Sequence, residues 1–308
     1  NRQIYHALKM RLRMCKVYKL TLTQFTQFLI PFALAFTACK TPMPFTREEA
    51  YQENVLYLKT QAYDNWNKRI NRKNATVATF FLEKVHSLEP DNLEIALLLS
   101  RAYHFEGYYI ETDPAQKDIL FMKGKRLAIQ IVERSAVFQN AKSTVQGDPM
   151  VKITEAVAVV EKKYLSALYW WAANRGRYFY TKPVRMRLDY RELGEALMHR
   201  VLALDPEFFY GGPYRFFGAL YAHLPGVELS RSEEYFQKAI AAYPDYLGTY
   251  VLRAQFLHTK AGDREKFKAD LEYVINADPA LLPDAMPENL FEQKFAEELL
   301  ANEDMLFE

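Results

Sequence analysis

The side chains able to do chemistry in this chain are aromatic rings and guanidinium groups, and they gather in two stretches. The first, residues 165–180 (LSALYWWAANRGRYFY), holds Trp170 and Trp171 beside Tyr169 and leaves through Arg175, Gly176 and Arg177. The second, residues 208–221 (FFYGGPYRFFGALY), carries Tyr210, Gly211, Gly212, Arg215, Phe216 and Tyr221. The chemistry open to such a set is recognition. Aromatic faces take an apolar body or a cation, and a guanidinium grips a carboxylate or phosphate through two parallel hydrogen bonds. Successive helical side chains point about 100° apart, so Tyr169, Trp170 and Trp171 sweep roughly 200° of the helix circumference. A surface helix needs only one apolar stripe. This helix must be covered on several sides, either as plain core or as the wall of a cavity. Aromatic stripes are more often core. The embedded arginines favour a cavity, because a buried guanidinium needs a partner and one at a cavity mouth can hold an anionic group.

Other chemistry finds little support. His86, His104, His199, His223 and His258 stand singly, without metal-binding spacing. There is no G-x-S-x-G, no glycine-rich phosphate loop and no H-E-x-x-H. Glu233-Glu234 and Glu297-Glu298 read as solvated helix faces. Paired carboxylates for glycoside hydrolysis stay open on sequence alone, because their pairing is spatial. The expectation is a chain without catalytic residues, metal or cofactor.

The formal net charge is +2, with 40 basic and 38 acidic residues. Residues 1–38 carry six of the basic ones (Arg2, Lys9, Arg11, Arg13, Lys16, Lys19) and no acid, which leaves 34 against 38, about −4, for the rest. A mildly acidic body has no electrostatic footprint for nucleic acid. The same N-terminal segment reads as an export signal. A basic stretch starting at Met10 or Met14 precedes the apolar run 28–36, too short to span a bilayer, and small residues then lead to Cys39. Residues 1–9 precede either methionine and are read as upstream of the true start. Ala38-Cys39 resembles the end of a bacterial lipoprotein signal, in which the cysteine becomes the lipidated N-terminus, although Phe36 stands where leucine is usual. The alternative is an ordinary cleaved signal. The organisation is therefore read as a signal over 1–38, a lipidated cysteine and proline-containing tether over 39–46, and one helical domain over 47–308. With Cys15 removed in the signal, no disulfide framework remains.

Eleven glycines against 21 tyrosines and 21 phenylalanines argue for helices. Apolar spacing predicts them over residues 50–60, 75–88, 93–109, 118–136, 153–177, 187–204, 213–223, 230–242, 247–260, 263–277 and 288–301, with no strand. Four helices stop at Pro90, Pro206, Pro244 and Pro279. The last two intervals are 38 and 35 residues and the first, 116, is a little over three such steps, which resembles the tetratricopeptide period of 34. The reading is all-α: degenerate tetratricopeptide-like helix pairs forming a solenoid, interrupted over about 107–187 by an insertion that holds the central helix.

Four blocks in order, LYWWAANRGRYF at 168–179, FFYGGPYRFFGALYAHLPG at 208–226, YFQKAIAAYPDYLGTYVLRAQFLHTKAGDREKF at 235–267 and PENLFEQKFAEELL at 287–300, resemble the TatT family, the tetratricopeptide-like lipoprotein components associated with bacterial TRAP transporters. Arg175-Gly176 departs from the family's usual tryptophan–glycine and implies a more polar wall there. The resemblance implies a non-enzymatic exported lipoprotein anchored to a membrane. Its helices would surround a hydrophobic pore, and it would form a homotrimer with a periplasmic solute-binding P-component as partner. The implied role is to bind hydrophobic or amphipathic acidic ligands and pass them on for uptake. On the residues alone, a tetratricopeptide scaffold gripping another envelope protein remains the alternative. The ligand residues expected on the cavity reading are Tyr169, Trp170, Trp171, Arg175, Tyr210, Gly211, Gly212, Arg215, Phe216 and Tyr221.

Overall fold

The computed structural model describes residues 46–183, 185–186 and 191–307. The signal over 1–38, Cys39 and all of the tether but Thr46 lie outside the described residues. Thirteen helices of five residues or more carry the fold, and there is no strand among the described residues. They are α1 (Arg47–Asn67), α2 (Arg72–Leu88), α3 (Leu93–Phe105), α4 (Pro114–Val132), α5 (Ala136–Thr144), α6 (Pro149–Ala158), α7 (Leu165–Tyr180), α8 (Arg191–Leu204), α9 (Phe208–His223), α10 (Leu229–Ala242), α11 (Gly248–Leu252), α12 (Arg264–Asn276) and α13 (Met286–Ala301).

The sequence starts several of these helices by capping. The side chains of Asn92, Asp113, Ser135, Asp148 and Asp263 each accept a hydrogen bond from a first-turn backbone N–H, and Pro114 and Pro149 occupy the first helical turn. Two wider π turns, Glu106–Ile110 after α3 and Arg253–His258 after α11, interrupt the regular winding. The first rotates Tyr108 and Tyr109 together toward α13. There Tyr109 stacks on Phe291 and Phe295 at 5.3 and 5.7 Å, and Tyr108 meets Phe295 at 5.3 Å.

Helices α2, α3, α4, α7, α8, α9 and α10 each pack on the next in that series, while α5 and α6 pair with each other and α6 lies on α8. α7 is thus covered by α3, α4 and α8. Tyr169, Trp170 and Trp171 are all buried. The late helix α13 returns to the early part of the chain. Glu288 pairs with Arg69 and Arg101, both at 2.8 Å, and Tyr109 donates to Glu292 at 2.6 Å.

The central helix expected over 153–177 is instead two. α6 ends at Ala158 and α7 starts at Leu165, with a short 3₁₀ turn at Lys162–Tyr164 between them. The break is held from a distance. Arg200 on α8 donates Nε and Nη2 to the carbonyl of Val160 at 2.9 and 2.7 Å, satisfying an acceptor that a continuous helix would have used itself. The helix expected over 118–136 ends at Val132, where Ser135 caps α5 as a separate helix.

The α4–α7 crossing depends on Gly124. Ser100 Oγ donates to the Gly124 carbonyl at 2.9 Å, Asn174 Nδ2 donates to the carbonyls of Ser100 and Trp170, and a Cβ at 124 would lie 2.6 Å from Asn174 Nδ2. Gly124→Ala is expected to cost about 1–3 kcal/mol through forced displacement of this fully buried amide. Gly176→Ala, with nothing within 4 Å of its Cβ position, should stabilise by up to about 1 kcal/mol through helix propensity. Urea midpoints of the two variants, moving in opposite directions, check the assignment.

Candidate functional site

A cavity of about 520 Å³ lies among α3, α7, α8, α9, the second π turn and α13, and its wall is rich in aromatic side chains. From α3 and the turn after it come Arg101, His104, Phe105, Tyr108 and Tyr109. α7 gives Tyr169, Trp170, Ala173, Arg175 and Arg177, and α9 gives Phe209, Gly212, Arg215 and Phe216. Tyr246, Phe256, Glu288 and Glu292 complete the far side.

The start of α9 is where the chain departs most from ordinary geometry. Phe209 (φ 49°, ψ 55°), Tyr210 (59°, 47°) and Gly211 (73°, 26°) form a left-handed turn inside the helix boundaries. Glycine tolerates this region, whereas the two aromatic residues each bear a cost of about 1–2 kcal/mol. The surroundings hold them there. Arg215 Nη2 donates to the Phe209 carbonyl at 2.8 Å, Nη1 donates to the Tyr210 carbonyl, and the guanidinium lies 4.1 Å from the centre of the Tyr246 ring. Tyr210 stacks on Tyr246 at 5.1 Å and Phe209 meets Trp170 edge-on at 4.9 Å. A Cβ at Gly212 would lie 2.5 Å from the Tyr169 ring, so glycine lets the ring close onto the backbone. A second cavity of about 540 Å³ borders the first, and Arg101, Trp170 and Phe209 line both. Strained backbone thus places Phe209 at the partition between them.

Of the residues expected from the sequence, Tyr169, Trp170, Arg175, Gly212, Arg215 and Phe216 come together around the first cavity. Tyr210 lines the second cavity. Trp171, Gly211 and Tyr221 are buried and line neither, Tyr221 packing on Phe217 and Tyr235. The backbone does turn just ahead of the helix expected over 213–223, and the left-handed part of that turn runs from Phe209 to Gly211.

Several cavity residues escaped the sequence reading. Arg101 pairs with Glu288, which also holds Arg69, so one buried carboxylate joins two arginines. Glu292, 2% exposed, accepts from Tyr109 through Oε1, while its Oε2 has no hydrogen-bond partner among the described residues. Burial raises its pKa to about 7, outweighing the Tyr109 hydrogen bond and the pull of Arg177 and Arg215. His104, packed against Trp170 at 5.4 Å, is driven the other way. Burial, then the nearby Arg177, lowers its pKa to about 3. The two groups oppose each other in stability. The unfolded chain ionises Glu292 near 4.5 and the folded chain near 7, so its contribution is full at low pH and is lost as pH rises through 7. The His104 contribution is full above 6.5 and is lost as pH falls toward 3. The signal for Glu292 was available: Glu288 and Glu292 lie four apart on the face that carries Phe291 and Phe295, where acids do not belong unless partnered.

No group of three or more His, Cys, Asp or Glu side chains with metal-binding geometry occurs among the described residues. No helix there is long and apolar enough to cross a membrane. The arrangement offers an apolar chamber with cationic groups and one neutralisable acid, which is binding chemistry. No curated protein matches the chain. The family model described as TRAP transporter T-component matches residues 80–307, that is 228 of 308 residues. The matched span starts within α2 and takes in every element lining the cavity, and the chain belongs to the TRAP transporter T-component family.

Proposed function

We propose that this T-component is a ligand-binding accessory protein of a TRAP-type uptake system, with no enzymatic activity. The observation that carries the reading is the cavity: about 520 Å³, rich in aromatic side chains, with arginines from α3, α7 and α9 in its wall. Such a chamber fits an apolar ligand body with an acidic head group. Tyr169, Trp170, Arg175, Gly212, Arg215 and Phe216 would touch the ligand, with Tyr210 in the adjoining cavity. Trp171, Gly211 and Tyr221 would support that wall from behind. The two cavities together would form a pore through the subunit, and the helix pairs around it a tetratricopeptide-like solenoid with α7 as its inserted element. The protein would be exported, anchored through lipidated Cys39 to a membrane and assembled as a homotrimer. It would pass ligand to a periplasmic solute-binding P-component.

Native mass spectrometry on protein purified without detergent tests the core of this. The expected result is a co-purifying amphiphile, or stoichiometric uptake of an added fatty acid. A subunit that carries and takes up neither rejects the cavity reading. The scaffold alternative draws on the exposed apolar side chains Leu56, Tyr57 and Phe80 of α1 and α2. A pull-down returning envelope-assembly proteins and no solute-binding protein would favour it.

A further inference from the structure

Glu292 is the one acid in the cavity wall that no arginine pairs within ion-pair distance among the described residues. Several elements bring titratable or charged groups to it. These groups are Tyr108 and Tyr109 from the turn after α3, Arg177 from α7, Arg215 from α9, Tyr246 before α11, and Glu288 one turn back on α13. Their partners are unequal. Glu288 is neutralised by Arg69 and Arg101. Arg215 donates to two backbone carbonyls, and Arg177 lies 3.5 Å from the Tyr108 ring with no ion pair among the described residues. Among the groups just named, four arginines (69, 101, 177, 215) against Glu288 give +3 when Glu292 is neutral and +2 when it is ionised, and Arg175 and Arg191 elsewhere in the wall add equally to both.

We propose that Glu292 is a proton-linked subsite of the cavity: as a neutral acid it donates a hydrogen bond to the anionic head of a bound amphiphile, and on ionising it repels that head. The inference rests on the ligand-binding reading above and adds its regulation. Tyr109 already donates to Oε1, which leaves Oε2 to carry the proton. A bound anion then meets Arg177, Arg215 and an O–H donor together. Loss of that proton turns the donor into a like charge in a poorly solvated site, where repulsion is weakly screened. Where Glu292 is ionised, ligand binding therefore takes up one proton, and a rise in pH promotes release.

The test is calorimetric titration of the full chain with decanoate at pH 6 and pH 8, with decanol as the neutral control. A group titrating at about 7 predicts that decanoate binds about tenfold more tightly at pH 6, while decanol affinity stays within about twofold. Glu292→Gln keeps the shape and removes the charge. It should bind decanoate with the same affinity at both pH values and show a higher melting temperature than the parent at pH 8. A flat decanoate profile in the parent protein, or a pH dependence that survives in Glu292→Gln, overturns the proposal while leaving the cavity reading intact. Absence of binding by both probes at both pH values rejects the cavity reading itself, and this inference with it.

Discussion

Glu288→Gln is expected to destabilise the fold by about 3–5 kcal/mol, measured as the shift in urea unfolding free energy. Glu288 is 2% exposed and accepts from Arg69 and Arg101 through separate oxygens, each at 2.8 Å. The glutamine cannot hold either charge. Arg69, itself 6% exposed, keeps hydrogen bonds to the carbonyls of Trp66 and Asp284 and its position over the Trp66 ring at 4.6 Å. Those contacts do not replace a counter-charge. Removing one partner from a buried ion cluster leaves an uncompensated charge, which costs far more than the intact cluster contributes. Arg101 is less enclosed, with 23% of its side chain exposed, so most of the loss should trace to Arg69.

Two controls separate this from a generic core defect. Replacing Arg69 by methionine together with Glu288 by leucine should recover much of the loss, because apolar groups of similar size satisfy each other where a lone ion does not. Glu288→Gln should also move the Glu292 titration downward, since Glu288 is among the groups that raise it. The contact joins residues 219 apart in the chain and ties α13 to the segment after α1, so its loss should loosen the cavity's far wall as well as the fold.

What could be read from the chain and what could not divide along the range of the interactions involved. Proline stops and apolar spacing located nearly every helix, because both act within one or two turns. The same spacing ran straight through 159–164, where the break is stabilised by Arg200 from 40 residues away. The all-round burial of Tyr169, Trp170 and Trp171 followed from helix geometry alone. Which of them would line a cavity did not, since Trp171 turns into packed core. Gly211 suggested a turn, yet nothing local announced that Phe209 and Tyr210 would adopt left-handed backbone. Arg215 and Tyr246 hold them there. Glu292 was not singled out from the sequence: its apolar neighbours hinted at burial, but its partner Tyr109 lies 183 residues distant.

Ala173→Trp is expected to abolish tight binding of decanoate, lowering affinity at least about tenfold, while leaving the unfolding free energy within about 1 kcal/mol of the parent. Ala173 lines the cavity from α7 and is only half-buried, so an indole there has the chamber itself to enter. Filling space that would otherwise hold ligand removes affinity without opening a void or overpacking a closed core. Trp171→Phe is the reciprocal variant. Trp171 is 3% exposed, lines neither cavity and belongs to the packed core, so its truncation should cost about 1–2 kcal/mol of stability and leave decanoate affinity unchanged. Calorimetric titration and urea unfolding on the pair give a crossed result if the chamber is the binding site. Parent-like decanoate affinity in Ala173→Trp would place the ligand elsewhere, and equal losses of affinity in both variants would mean that binding tracks stability and not the chamber.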